Sequence, residues 1–186
     1  MWDNASRFIP GQCIAQARYG TAERAAALID HPVYSHDTSR LWPGFAEFIE
    51  TRPFFFLASA DAAGRCQCNY RGGEPGFVQV EDDRHLYFPD YAGNGLLHTI
   101  GNFIENPQVG LLFIDFESGR RIKVNGRVRI LDAPETLSAW RDRPGYAGAE
   151  RIIRVQVEYA VLNCSRFLEK AVGHREAVME TGRERP

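Results

Sequence analysis

The chain lacks any hydrophobic run able to cross a bilayer: its richest apolar stretches, Phe54–Ala60 and Val109–Ile114, fall far short of the roughly 18 residues a spanning helix needs. No membrane association is expected. Cysteine is scarce, four in 186 residues. Cys13, Cys66, Cys68 and Cys164 do not form paired CxxC knuckles, so a structural zinc site is not expected and they read as buried or semi-buried thiols. The five histidines (His31, His36, His85, His98, His174) show no metal-ligand spacing. There is no Gly-x-Ser-x-Gly elbow, no HExxH helix and no GxxxxGK[ST] loop, which argues against hydrolase, zinc-protease and nucleotide-hydrolysing chemistry. An excess of one charge is missing too. Lys plus Arg (22) nearly balance Asp plus Glu (24), and a net charge of −2 speaks against a dedicated nucleic-acid binder. Met1-Trp-Asp-Asn-Ala-Ser-Arg-Phe8 has neither a basic start nor an apolar core, so the expectation is a cytoplasmic protein without a secretory signal.

Apolar residues are plentiful at 44%, enough to oppose chain entropy, and the length suits one domain with appendages. Residues 12–30 carry a weak helical period broken at Gly20-Thr21, and 39–51 carry a second one, with Phe45, Phe48 and Ile49 at helical spacing before Pro53. The period then changes to two. Phe54–Ala60 and Arg65–Arg71 flank the Asp61-Ala-Ala-Gly64 turn, and Phe77–Glu81 and His85–Phe88 flank Asp82-Asp-Arg84, giving two hairpins. Gly93–Glu105 predicts a helix starting after Gly93-Asn94. Gln108–Phe116 is apolar on both faces and reads as a central strand covered on both sides. Arg120–Leu131 alternates, followed by a short helix near Glu135–Trp140. A last strand, Arg151–Asn163, points Ile153, Val155, Val157, Tyr159 and Val161 inward. Six or seven antiparallel strands with one mid-sheet helix indicate a barrel or sandwich, mainly β with flanking helices.

Three features bear on chemistry. Arg120–Arg129 holds five basic residues and no acid, and Arg121, Lys123, Arg127 and Arg129 share a face. That stripe is either a solvated outer face or an anion site in which guanidinium forks grip a phosphate. Gly93-Asn94-Gly95 is either an ordinary Asn cap or a site where free helix N–H groups meet an anion. It fails as a dinucleotide fingerprint, because the third glycine and the βαβ unit are missing. Asn69-Tyr70-Arg71-Gly72-Gly73 runs a polar strand face into a glycine bend, where Arg71 is either a surface arginine or a phosphate contact. Tyr70 and His98 are acid–base candidates by chemistry alone. A chain without its own catalytic set suits a reaction carried by a cofactor.

An ordered series of motifs spanning about Phe48–Phe167 resembles the pyridoxamine 5′-phosphate oxidase-like family of FMN-binding split barrels. The motifs are Phe54-Phe-Phe-Leu-Ala-Ser-Ala-Asp-Ala-Ala-Gly64, Tyr70-Arg-Gly-Gly-x-Pro-Gly-Phe-Val78, Phe88-Pro-Asp-Tyr-x-Gly-Asn-Gly95, Asn102-Phe-Ile-x-Asn-Pro107, Val109-Gly-Leu-Leu-Phe-Ile-Asp115 and Val124-Asn-Gly-Arg127. The resemblance implies a six-stranded antiparallel split β-barrel at 53–167, an N-terminal helical extension at 1–52 and a charged tail at 168–186. It further implies a homodimer with FMN in the cleft between subunits, and a flavin-dependent oxidoreductase acting on a small molecule, or else a non-catalytic flavin carrier or redox sensor. F420 and haem are the alternative cofactors. Mapped onto this chain, Asn69, Tyr70, Arg71, Gly72 and Gly73 would line the isoalloxazine and ribityl chain. Pro89, Asp90, Gly93, Asn94, Gly95 and Leu96 would sit near the ribityl chain and phosphate, Arg121 and Lys123 would reach the phosphate, and Arg166 would approach the partner subunit's flavin. The Arg-Lys pair that the oxidases proper carry at the start of the mid-sheet helix reads Asn94-Gly95 here, and their C-terminal Trp- and Arg-containing segment is replaced by Thr181-Gly-Arg-Glu-Arg-Pro186. The likeness is therefore to the bacterial flavin-nucleotide-binding branch.

Overall fold

A computed structural model describes residues 8–29 and 37–163. Two helices, α1 (Pro10–Arg18) and α2 (Ala22–Ile29), precede a short α3 (Phe45–Glu50). The strands are β1 (Phe54–Ala60), β2 (Cys66–Gly72), β3 (Gln79–Val80), β4 (His85–Tyr91), β5 (Gln108–Ile114), β6 (Arg121–Leu131) and β7 (Ala149–Asn163). Helix α4 (His98–Glu105) links β4 to β5, and α5 (Pro134–Trp140) links β6 to β7. All seven strands pair antiparallel in one sheet of order β2-β1-β5-β6-β7-β4-β3. The expected antiparallel split-barrel architecture is present, with the two-residue β3 as an extra edge strand.

Period-two alternation decides which side chains meet inside the curl of this sheet. Phe55, Leu57, Leu111, Phe113, Ile122, Val124, Val155 and Val157 point inward and are buried, and Phe45, Phe48 and Ile49 of α3 and Ile100 and Phe103 of α4 close over them. Phe55 is the hub: its ring lies 5.1 Å from those of Phe88 and Phe113 and 5.8 Å from that of Phe77. A second cluster lies on the outer face, where α5 brings Leu137 and Trp140 against Tyr87, Ile152, Tyr146 and Leu131.

Four expectations change. The second helix shortens to α3 because Pro43-Gly44 interrupts it, with Gly44 at φ +85°. The mid-sheet helix starts at His98 rather than after Asn94: Gly95 (φ +81°) and Leu97 (φ 49°) both take left-handed backbone, which cannot continue a helix. In β7 the pairing passes from Asn125↔Tyr159 to Gly126↔Val157, leaving Glu158 as an extra residue. This bulge reverses the alternation, so Ala160 joins the inner core while Tyr159 and Val161 turn to the outer face. Cys13, Cys66 and Cys68 are exposed rather than buried, because α1 buries no residue and β2 is a sheet edge with an uncovered outer face. Cys164 lies outside the described residues, as does the charged tail.

Strand β5 is central as expected, lying between β1 and β6, yet only its inner side is fully covered. The outer face of β1, β2 and β5 presents Phe54, Phe56 and Leu112, all half-buried, and Tyr70, 63% exposed. Phe116, just past β5, is 44% exposed and stacks on Phe54.

Candidate functional site

The predicted site residues divide between the two faces of the sheet. Asn69 and Arg71 alternate to the inner face of β2, where both find partners. The Asn69 side-chain amide donates to Thr99 Oγ1 at 3.3 Å. One Arg71 NH group donates to Asp90 Oδ1 at 2.9 Å, and Arg151 donates to the other carboxylate oxygen, Asp90 Oδ2, also at 2.9 Å. Asp90 is 4% exposed, so one buried carboxylate is shared by two guanidinium groups. Burial works against the Arg151 charge, and the Asp90 and Glu150 carboxylates more than offset it, so its pKa lies above the ordinary arginine value. This triad joins β2 to the β4–β7 pair across the side of the barrel where no backbone ladder connects them.

Gly72 and Gly73 follow directly. A Cβ on Gly73 would stand 2.7 Å from the Phe77 ring, so the bend needs a residue without a side chain to bring Phe77 into the core. The Gly73 N–H donates to the Pro53 carbonyl at 2.9 Å, fixing the bend to the entry of β1. Beside α4, the Asn102 amide donates to buried Ser59 Oγ at 2.9 Å, which seats the helix on β1.

Gly93, Asn94, Gly95 and Leu96 form an exposed loop, with Leu96 63% exposed. Asn94 Oδ1 accepts the Leu96 N–H at 3.0 Å, an Asx turn rather than a helix cap. The loop therefore lies one turn ahead of the helix, and its glycines leave backbone open to solvent. Pro89 points outward from β4, opposite Ile152.

Tyr70, Arg121 and Lys123 share the outer face. Register places Tyr70, Phe56, Leu112, Lys123 and Val161 in one row across five strands, with the pairs Gly72–Phe54 and Ile114–Arg121 two residues further along their strands. Lys123 Nζ stands 5.2 Å from the centre of the Tyr159 ring, a cation–π contact that exists because the β7 bulge turned Tyr159 outward. Among the described residues no carboxylate pairs with Arg121 or Lys123, and Arg121 Nε is buried without a hydrogen-bond acceptor. Two half-buried cations thus sit at the border of an apolar surface. This chemistry suits a phosphate, which would supply the missing acceptors. Arg166 lies outside the described residues.

The structure thus brings together Arg71 with Asp90, and Arg121 with Lys123, but sets these pairs on opposite faces. Sequence reading missed Arg151 and Thr99, the partners of Asp90 and Asn69, and the outward turn of Tyr159. The alternation of β7 would have placed Arg151 on the inner face, but nothing local indicated its pairing with Asp90. Glu81, Asp82 and His85 hold potential metal-ligating atoms within 4.8 Å of one another. Asp82 accepts from the Arg84 N–H and pairs with His85, while Glu81 accepts from the Tyr87 hydroxyl, so this cluster is engaged within its own hairpin.

No curated protein matches the chain. Among solved structures, the fold is similar to a candidate pyridoxamine 5′-phosphate oxidase from Lactobacillus delbrueckii, with TM-score 0.55 and 17% identity, covering 67% of this chain and 95% of that one. It is also similar to a histidine-to-alanine variant of Group A Streptococcus HupZ, with TM-score 0.53 and 16% identity, covering 66% and 99%. The family pattern described as pyridoxamine 5′-phosphate oxidase matches residues 41–164, from the residue before Trp42 to the end of β7. With its motifs in order and its antiparallel split-barrel sheet in place, the chain belongs to the pyridoxamine 5′-phosphate oxidase family.

Proposed function

We propose that the protein is an FMN-binding flavoprotein that acts as a homodimer, with flavin-dependent oxidoreduction of a small molecule as its activity. The observation that carries this reading is the Arg121–Lys123 pair: two cations without carboxylate partners among the described residues, beside exposed aromatic and aliphatic side chains, in a family that includes flavin enzymes. Arg121 and Lys123 would hold the phosphate through charge-assisted hydrogen bonds. The exposed Gly93–Leu96 loop offers backbone N–H groups for the ribityl chain. Bound FMN supplies the hydride- and electron-transfer chemistry, and the protein supplies orientation, electrostatics and exclusion of water. Arg71 and Asp90 are tied to one another, with both Asp90 oxygens taken by Arg71 and Arg151, while Arg71 Nε keeps no acceptor and the two guanidinium groups outnumber the one carboxylate. Their role in this reading is positional, holding the Gly72-Gly73 bend and the start of the 91–97 loop against the barrel.

The outer face of β1, β5 and β6 supports a second copy as its cover. Half-buried Phe56 and Leu112 there lie in the same row as Lys123, so a dimer formed on this face would enclose the phosphate contacts. An absorbance spectrum of the purified protein, with mass analysis of whatever denaturation releases, tests the cofactor. FMN is expected, whereas F420 or haem would replace it in the same fold. In a flavin titration, Arg121→Ala is expected to weaken FMN binding by about 1–3 kcal/mol. Unchanged affinity would remove Arg121 from the site. Bound flavin that neither NADH nor NADPH reduces would shift the reading to a flavin carrier or redox sensor.

A further inference from the structure

The basic stripe of β6 is cut in two by the β7 bulge. Before it lie Arg121 and Lys123; beyond it Arg127 and Arg129 continue on the same face, both exposed. Their register partners on β7 are Gln156 and Arg154. Arg129 and Arg154 therefore stand directly opposite one another in an antiparallel pair, where Cβ atoms are typically about 5 Å apart and like charges are destabilising. The next residue across this row is Tyr87 of β4, whose ring lies 4.7 Å from that of Trp140. Arg143 covers the other side of the same aromatic pair, 3.8 Å from the centre of the Trp140 ring, and donates to Gln79 Oε1 at 3.0 Å.

Glu81 approaches this corner only through the hydroxyl of Tyr87, the register neighbour of Arg154, and does not form an ion pair with Arg154. Among the described residues no carboxylate pairs with Arg127, Arg129 or Arg154. Glu81, on the adjoining hairpin, accepts the Tyr87 hydroxyl at 2.7 Å, and Asp82 is held by His85. An opposed arginine pair is unexpected in a chain with more acidic than basic residues, where an Arg–Glu pair at the same register would stabilise the sheet. A bridging anion removes the conflict, because one tetrahedral oxyanion can accept from both guanidinium forks.

We propose that Arg129 and Arg154, flanked by Arg127, form a second anion site that takes the phosphate group of a small ligand, with Tyr87 and Trp140 as the adjoining aromatic wall. It is separate from the Arg121–Lys123 pair, since the six residues from Lys123 to Arg129 span roughly 20 Å of strand. The inference does not rest on the flavin reading.

The test is thermal denaturation of the full chain with and without inorganic phosphate, ionic strength being matched with potassium chloride. Phosphate is expected to raise the Tm by roughly 2–4 °C at saturation in the wild type and in R121A. In R129Q and R154Q the shift should fall well below the wild-type value, to whatever the separate Arg121–Lys123 pair contributes. Arg129 is exposed, so R129Q leaves the core packing intact, and without phosphate it should melt at or above the wild-type temperature because the repulsion is gone. Equal phosphate shifts in wild type and R129Q, or an equal effect of chloride, would overturn the proposal. Loss of the shift in R121A but not in R129Q would assign phosphate binding to the flavin half alone and overturn it as well.

Discussion

Asp90 shows how much of this site depends on one carboxylate. It is nearly inaccessible to solvent and pairs with Arg71 from β2 and Arg151 from β7 at once, one negative charge between two positive ones. Asp90→Asn keeps the shape but leaves partly buried Arg71 without a counter-charge and Arg151 with only its pairing to the more exposed Glu150. The expected cost is on the order of 3 kcal/mol, read as a lower midpoint in urea denaturation with an unchanged slope. A variant as stable as wild type would mean the triad is incidental to barrel closure. Residue identity was readable at this scale, but pairing was not: Asn69, Arg71 and Asp90 stood out as polar groups near glycines, and only the curl of the sheet showed that Arg71 binds Asp90 and that Asn69 binds Thr99.

At the scale of elements, the β6–β7 pair decides the layout of the outer face. Gly126 lies opposite the bulge, and a Cβ there would stand 2.1 Å from the Gln156 carbonyl oxygen, a backbone atom with little room to move. Gly126→Ala should therefore destabilise the fold by about 1–3 kcal/mol, seen as a lower Tm. It should also disturb the Lys123–Tyr159 contact, which depends on the reversed alternation beyond Glu158. A wild-type melting curve for Gly126→Ala would show that the two strands are not closely apposed there. Most strands were legible, because long alternating segments such as Arg121–Leu131 leave only one register that buries Ile122 and Val124. The bulge was not, since Glu158 looks like any outward residue until its neighbour strand is known.

For the whole molecule, the sheet face bearing Phe54, Phe56, Leu112 and Tyr70 is left half-covered by the described residues. Static light scattering of the flavin-loaded protein is expected to give twice the 21.0 kDa chain mass. Leu112→Glu, which puts a charge at the centre of that face, should give the single-chain mass and release FMN. A flavin-loaded wild-type monomer would overturn the shared cleft while leaving the Arg121 prediction standing.

The sequence by itself determined the antiparallel strands, the mid-sheet helix, the split-barrel architecture and the family, because hydrophobic period and turn residues are local and the motifs keep their order along the chain. The clustering of basic residues on one face of β6 was equally local. The tertiary structure decided which of these charges are paired. Arg71 is paired with Asp90 through one NH group because curling brings β2 beside β4, though its Nε stays without an acceptor, whereas Arg121, Lys123, Arg129 and Arg154 lie on the convex face without carboxylate partners among the described residues. Charge pairing is a property of strands distant in sequence, and only the register and curvature of the sheet set it.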